Sequence, residues 1–185
     1  MRRAFGGASI STSMIIVITG DGKGKTTSAL GQAMRAVGNG KRVLMAQFIK
    51  GPWKSGEDES FKRLAPEFEI VKTGKGFVGI LGDTLPREEH AKAAQDGLVY
   101  VREQMLSGKW DVVVLDEIHN AVDLGLVSVR DVLAILDELP QNVDAILTGR
   151  GAPRELIECA DIVSEVKEIK HAFHEGEKAK RGIEF

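Results

Sequence analysis

An α/β fold with a mainly parallel sheet and helices on both faces is predicted by three observations. Short β-branched runs alternate along the chain with amphipathic stretches of helical period. One such run, VVVL at 112–115, is apolar without a break, as a strand covered on both faces must be. The first run, Met14–Ile18, passes directly into a glycine-rich turn and then a helical pattern, the order of a strand–turn–helix unit.

Each element follows in turn. Met14–Thr19 is the first strand. A helix runs from about Thr26 to Val37, with Leu30, Ala33, Met34 and Val37 at helical spacing and glycines 38 and 40 ending it. Arg42–Gln47 is the second strand and Glu69–Thr73 the third. Pro86 opens a long helix to about Ser107, with Glu88 and Glu89 in the first turn where the helix dipole favours acids. Its buried stripe is Ala91, Ala94, Leu98, Val101 and Met105. Trp110–Glu117 holds the central strand. Ser128 with Asp131 starts a helix in the manner of a capping box, and Pro140 stops it after Leu139. Ala145–Thr148 is a further strand, Pro153–Cys159 a short helix, and Ile162–Ile169 a last strand at the sheet edge. No repeat or linker-like tract interrupts the pattern, so residues 14–185 read as one domain. Residues 1–13 read as a flexible extension or an expression remnant, with Met14 as the natural start.

Bulk properties narrow the function. Lys+Arg 25 against Asp+Glu 27 leaves a net charge of −2, which argues against a dedicated nucleic-acid binder. No apolar stretch approaches the about 20 residues that cross a bilayer. The one cysteine, Cys159, is read as a small buried side chain; it excludes an internal disulfide and fits a reducing cytoplasm.

The turn TGDGKGKTT (19–27) nearly spells the phosphate-binding loop G-x-x-x-x-G-K-[ST], with Thr19 where the first glycine belongs and an added Lys23. A strand feeding a helix through such a turn aims unpaired N–H groups at one spot, which binds anions. Gly20, Gly22 and Gly24 allow the turn and the approach of phosphate. Asp21 and Thr27 belong to the same segment. Lys25 offers a positive charge to phosphate oxygens, and Thr26 a hydroxyl for Mg²⁺. At the carboxyl end of the central strand stand Asp116 and Glu117, where ligands of open sheets collect and where a hard cation can be shared with phosphates. Together the motifs indicate a nucleoside triphosphate and Mg²⁺ (or Mn²⁺) without fixing the reaction. His119 reads as a surface or supporting residue. His171 and His174 could share a metal on a helix, but in the strand expected there they face opposite sides.

TGDGKGKTT, GKRVLMAQFIKG, KGF, VVVLDE, LTGR, ADIVSEV and KHAFHEG, in that order, resemble the ATP:corrinoid adenosyltransferases of P-loop type, from Met14 to near the C-terminus. The resemblance implies a RecA-like fold with an antiparallel edge strand, a homodimer, and ATP as substrate. It implies that Co(I) of a corrinoid (cobalamin, cobinamide or cobyrinic acid a,c-diamide) attacks C5′ of ATP and expels triphosphate. An external Co(II) reductant such as a flavoprotein completes the partners. Arg35 and Arg150 match arginines the family places near the nucleotide. The family's aromatic pair GF-x-W reads here as Phe77 and Gly79, so Phe77 alone remains to displace the corrin's lower ligand. The rival readings on this scaffold are a small-molecule kinase or ATPase, and a nucleotide-dependent switch.

Overall fold

The computed structural model describes residues 13–51, 54–80 and 82–183. The expected extension, 1–13, lies outside them except for Ser13. The predicted elements appear in their predicted order, with the short helices α2 and α4 added: β1 (Ile15–Thr19), α1 (Lys25–Gly38), β2 (Val43–Gln47), α2 (Gly56–Phe61), β3 (Phe68–Lys72), α3 (Arg87–Leu106), β4 (Val112–Asp116), α4 (Ile118–Asp123), α5 (Val129–Asp137), β5 (Asp144–Thr148), α6 (Arg154–Cys159) and β6 (Ile162–Glu165), then a 3₁₀ turn at Ala172–Glu175.

The six strands form one sheet in the order β3-β2-β4-β5-β1-β6. Every pairing among them is parallel, including β6 on β1 with Ile16 opposite Ile162. The antiparallel edge strand is therefore corrected. Helix α6 carries the chain back across the sheet before β6 begins, and a strand returning through a crossover runs parallel to its neighbour. β5 separates the phosphate-loop strand β1 from the acidic strand β4, the RecA-like order.

Side chains of the central strands divide by the period of two. Leu44 and Ala46 of β2 with Val113 and Leu115 of β4 face α3, α4, α5 and α6, while Val43, Met45, Val112 and Val114 face α1 and α2. Both layers are apolar and closely covered, so the loops at the sheet's carboxyl edge stand on a firm base. Three details differ from the periodic reading. Helix α1 buries Ala29 and Ala33, whereas Met34 is exposed, because small residues let the helix lie close over the strands. Helix α3 buries His90 and Gly97 as well as the predicted stripe, with Ala91 only partly covered. Gly97 is required there, since a Cβ would lie 2.6 Å from Thr73 Cβ.

Candidate active site

The phosphate loop leaves β1 at Thr19 and enters α1 at Lys25. Gly24 stands at the helix start with φ +122°, and no side chain caps it, so the first-turn amides are left for a ligand. The chain after β6 lies across the earlier half of the loop: Val166 donates its N–H to Thr19 O at 2.8 Å, and Gly22 donates to Val166 O at 2.8 Å. A Cβ at Gly20 would come within 2.4 Å of Val166 O, and one at Gly22 within 2.7 Å of Lys167 C. These two glycines are thus demanded by a strap of the protein's own backbone, a reason the sequence reading assigned to phosphate. Gly24, with nothing within 4 Å of a Cβ, keeps the open approach.

Lys25 Nζ donates to Gly22 O at 2.6 Å, which folds its head back over the loop. Burial, then the neighbouring Arg150 guanidinium, lowers its pKa, while Asp21, Glu117 and Glu168 act in the opposite direction. Lys25, Arg150 and Glu117 are consequently one electrostatic group. Lys23, Asp21 and Thr27 are exposed on the same loop and first turn.

Asp116 is wholly buried. Its Oδ1 accepts from Thr26 Oγ1 at 2.9 Å and from Thr148 Oγ1 at 2.7 Å; its Oδ2 accepts from Gln47 Nε2 at 3.1 Å. Burial nevertheless raises its pKa against those three donors. Glu117 adopts a left-handed backbone at φ +60°, unusual for a residue with a side chain, and its N–H donates to Thr148 Oγ1 at 2.9 Å. Burial and the charge of Asp116 push Glu117 up to about 7, with Lys50, Lys25 and Arg150 pulling the other way. Thr148 therefore fixes both acids, one by donating and one by accepting. Arg150 follows it through Gly149: the Arg150 N–H donates to Asn120 Oδ1 at 3.0 Å. A Cβ at Gly149 would sit 2.8 Å from His119 Cβ.

Beyond β3, the loop from Thr73 to Pro86 rises from the same edge. Thr73 and Gly74 both donate to Gln47 O at 3.0 Å. Phe77, Ile80 and Leu85 expose 44%, 58% and 38% of their surface on a segment of about a dozen residues. Asp83 ties the segment down, accepting from Gly79 N at 2.8 Å, Leu85 N at 3.1 Å and the buried His90 Nε2 at 3.0 Å. A groove of about 370 Å³ lined by Gly51, Lys72, Gly74, Lys75 and Leu85 runs beside it.

Residues 11–185 match the family described as ATP:corrinoid adenosyltransferase BtuR/CobO/CobP. The chain belongs to that family. It is 40% identical to a corrinoid adenosyltransferase of Escherichia coli K12 over 172 residues, covering 93% of this chain and 85% of the relative. It is 39% identical to the corrinoid adenosyltransferase CobA of Salmonella typhimurium, with the same coverage, and 36% identical to one from Pseudomonas aeruginosa, covering 93% and 83%. Among solved structures, the flagellar accessory protein FlaH of Methanocaldococcus jannaschii shares the fold, with a TM-score of 0.57 at 15% identity over 84% of this chain and 72% of that one.

For this member of the adenosyltransferase family, the structure brings together Lys25, Thr26, Asp116, Glu117 and Arg150. It does not bring Arg35 to them. Arg35 lies in the last turn of α1, ten residues beyond Lys25, or about 15 Å along the helix axis. It lines a second groove with Lys41 and Asp144 at the opposite edge of the sheet. Of the two readings of His119, surface or supporting, the structure excludes the first: it is fully buried, its Nδ1 lies 3.3 Å from Gly149 O, and burial lowers it to about 4. Cys159 is corrected the other way and is exposed. His171 and His174 fall on a 3₁₀ turn, where His174 Nε2 meets Glu168 Oε1 at 2.7 Å. Sequence reasoning missed Gln47, Thr148 and Asn120. A polar residue closing an apolar strand was the available signal for the first two.

Proposed function

We propose that the chain transfers the 5′-deoxyadenosyl group of ATP to the Co(I) of a corrinoid, with triphosphate as the leaving group. The family it belongs to carries this reading, and the phosphate loop and acidic pair at one sheet edge support it. The cobalt lone pair forms the bond to C5′ while the C5′–O bond breaks, and the departing oxygen keeps that electron pair. Charge grows on triphosphate, so cations and N–H donors held beside it lower the barrier. Lys25, Lys23, Arg150 and the amides of Gly24–Thr27 fill that role. Co(I) carries no proton to remove, so positioning takes the place of a general base.

Hard oxygen donors fit a Mg²⁺ or Mn²⁺ ion at this edge. Thr26 donates its proton to Asp116, which leaves its lone pairs for a cation, and two adjacent buried acids repel until one is neutralised. Thr26, Asp116 and Glu117 would hold it. When bound, the ion would neutralise negative charge on the triphosphate. Phe77 and the groove beside it would meet the corrin face, with Phe77 excluding the lower axial ligand and so easing reduction of Co(II). A homodimer, an outside reductant and a cytoplasmic setting complete the reading; no helix among the described residues is long and apolar enough to cross a membrane.

The deciding experiment mixes the protein with ATP, Mg²⁺ and chemically reduced cobalamin. The expected result is a light-sensitive Co–C product with triphosphate in equal amount, formed also from an ATP analogue blocked between the β and γ phosphates. ADP appearing in step with turnover would return the protein to the kinases and ATPases.

A further inference from the structure

Gln47 closes β2 directly opposite Asp116 in the parallel register, which puts the two side chains on the same side of the sheet. Its side chain is wholly buried. Nε2 donates to Asp116 Oδ2, and this fixes the amide's orientation, because the reversed amide would set its oxygen against a carboxylate. Oε1 is left buried with no hydrogen-bond partner. Buried acceptors in folded proteins are seldom left so. The backbone offers no slack for the side chain to turn away: Gln47 O already receives Thr73 N, Gly74 N and the Thr73 hydroxyl.

The two hydroxyls at this carboxylate are already used on it, and the nearest ammonium has a partner of its own. The Thr26 and Thr148 hydroxyls both point their protons at Asp116 Oδ1, and Lys50 forms an ion pair with Glu57. No hydroxyl there is left for Oε1, and a ligand bound at this edge can bring the donor. A hard cation of the Mg²⁺ class keeps several of its waters when it binds, and each bound water is a strengthened donor that seeks a fixed acceptor.

We propose that Gln47 is a positioning residue of the cation site, its Oε1 accepting a hydrogen bond from a water on the metal while its Nε2 holds Asp116. The proposal rests on the metal reading given above. It makes Gln47 a bridge: the side chain orients the cation's water shell, and the main chain roots the loop that bears Phe77.

Binding, not turnover, tests it. Free Mn²⁺ is read by electron paramagnetic resonance against protein saturated with ATP, and ATP affinity is measured separately in EDTA. Gln47→Leu keeps the bulk and loses the acceptor; Mn²⁺ affinity should fall about tenfold or more, with ATP affinity in EDTA held within about twofold. Gln47→Glu keeps an acceptor and loses the donor to Asp116; Mn²⁺ affinity should stay within about threefold of the native protein or tighten. Native Mn²⁺ affinity in Gln47→Leu overturns the proposal. So does a loss in Gln47→Glu as large as in Gln47→Leu, which would make the donor to Asp116 the whole effect. An equal loss of ATP affinity in EDTA would assign Oε1 to the nucleotide and overturn it too. If Gln47→Leu does not fold, the Gln47→Glu result decides alone. Failure of the native protein to take up Mn²⁺ with ATP removes the metal reading itself, and this proposal with it, before any variant is made.

Discussion

Around the phosphate loop, two hydroxyls and one side-chain amide hold Asp116 and a strap of backbone lies over Gly20 and Gly22, whereas the loop beyond β3 shows Phe77, Ile80 and Leu85 to solvent and is tied through Asp83. Both rise from the carboxyl ends of the same parallel strands. The contrast follows from what each would bind. Phosphate recognition needs N–H groups and charges held to a fraction of an ångström, and strand ends in a dry sheet provide that. A broad apolar ring system asks for area more than direction, and a loop with few anchors can fit itself to such a face.

The contrast can be broken most directly at Lys25. Lys25→Ala removes a charge from the rigid side, and turnover at saturating ATP should fall at least about tenfold. Near-normal turnover would show that this edge is not the site. The loop side responds differently. Phe77→Ala should slow the reaction about tenfold when cob(II)alamin and a mild reductant are supplied, yet less than about threefold with cob(I)alamin prepared beforehand. Equal losses in the two assays would mark Phe77 as a packing residue and erase the distinction between the two regions.

Glycine substitutions compare the regions in stability. Gly22→Ala drives a Cβ to 2.7 Å from Lys167 backbone and should cost about 2 kcal/mol, read as a melting temperature lower by several degrees. Gly79→Ala meets open space and only a φ of +70°, so about 1 kcal/mol is expected. Gly79→Trp should bear the same backbone penalty yet raise the cob(II)alamin rate and leave the cob(I)alamin rate alone. A melting temperature that is unchanged in Gly22→Ala would mean the strap yields freely.

The smallest effect concerns pH. Hydrogen bonds from Gly79 N and Leu85 N, with His90 beside them, hold the Asp83 pKa below the ordinary 3.8. A lowered acid stabilises the folded form above its unfolded pKa, and that contribution is lost as pH falls through 3.8 toward the folded value. Amide exchange at Gly79 and Leu85, corrected for intrinsic rate, should rise over that acid range while core amides of β4 stay protected. In Asp83→Asn the same amides should exchange faster already at neutral pH, with no acid step. Identical profiles in both proteins would remove Asp83 as the anchor.

What the sequence made legible was local. A glycine-rich turn, a continuous apolar strand and a proline at a helix start each state their own conformation within a few residues, and β1, β4 and α3 lie where those signals put them. Two short elements were missed: α2 and α4 have six residues each and show hardly two turns of pattern, and neither has the proline that marks the start of the equally short α6. The strand expected over Ile162–Ile169 ends at Glu165, and Val166 beyond it bonds to Thr19 and Gly22 of the phosphate loop. Lys25, Thr26, Asp116 and Glu117 were legible as a group because each stands at or just beyond a strand's carboxyl end, and the structure brings them together. Gln47 and Thr148 carried only the faint signal of a polar residue closing an apolar strand, and their partners are set only when β2, β4 and β5 are laid side by side. Arg35, read as lying near the nucleotide, stands in the last turn of α1, about 15 Å along the helix axis from Lys25.

The sheet order has a consequence for how the molecule is made. β1 is the earliest strand in the chain, yet its two neighbours are β5 and β6, which leave the ribosome last. Ile16 waits for Ile146 on one side and Ile162 on the other, more than a hundred residues later. Such distant pairings close slowly because a long stretch of chain must first lose its freedom. A nascent chain can assemble β2, β3 and β4 while β1 is still unpaired. The phosphate loop, which springs from β1 and is bonded to Val166, is thereby completed only after β5 and β6 have been made.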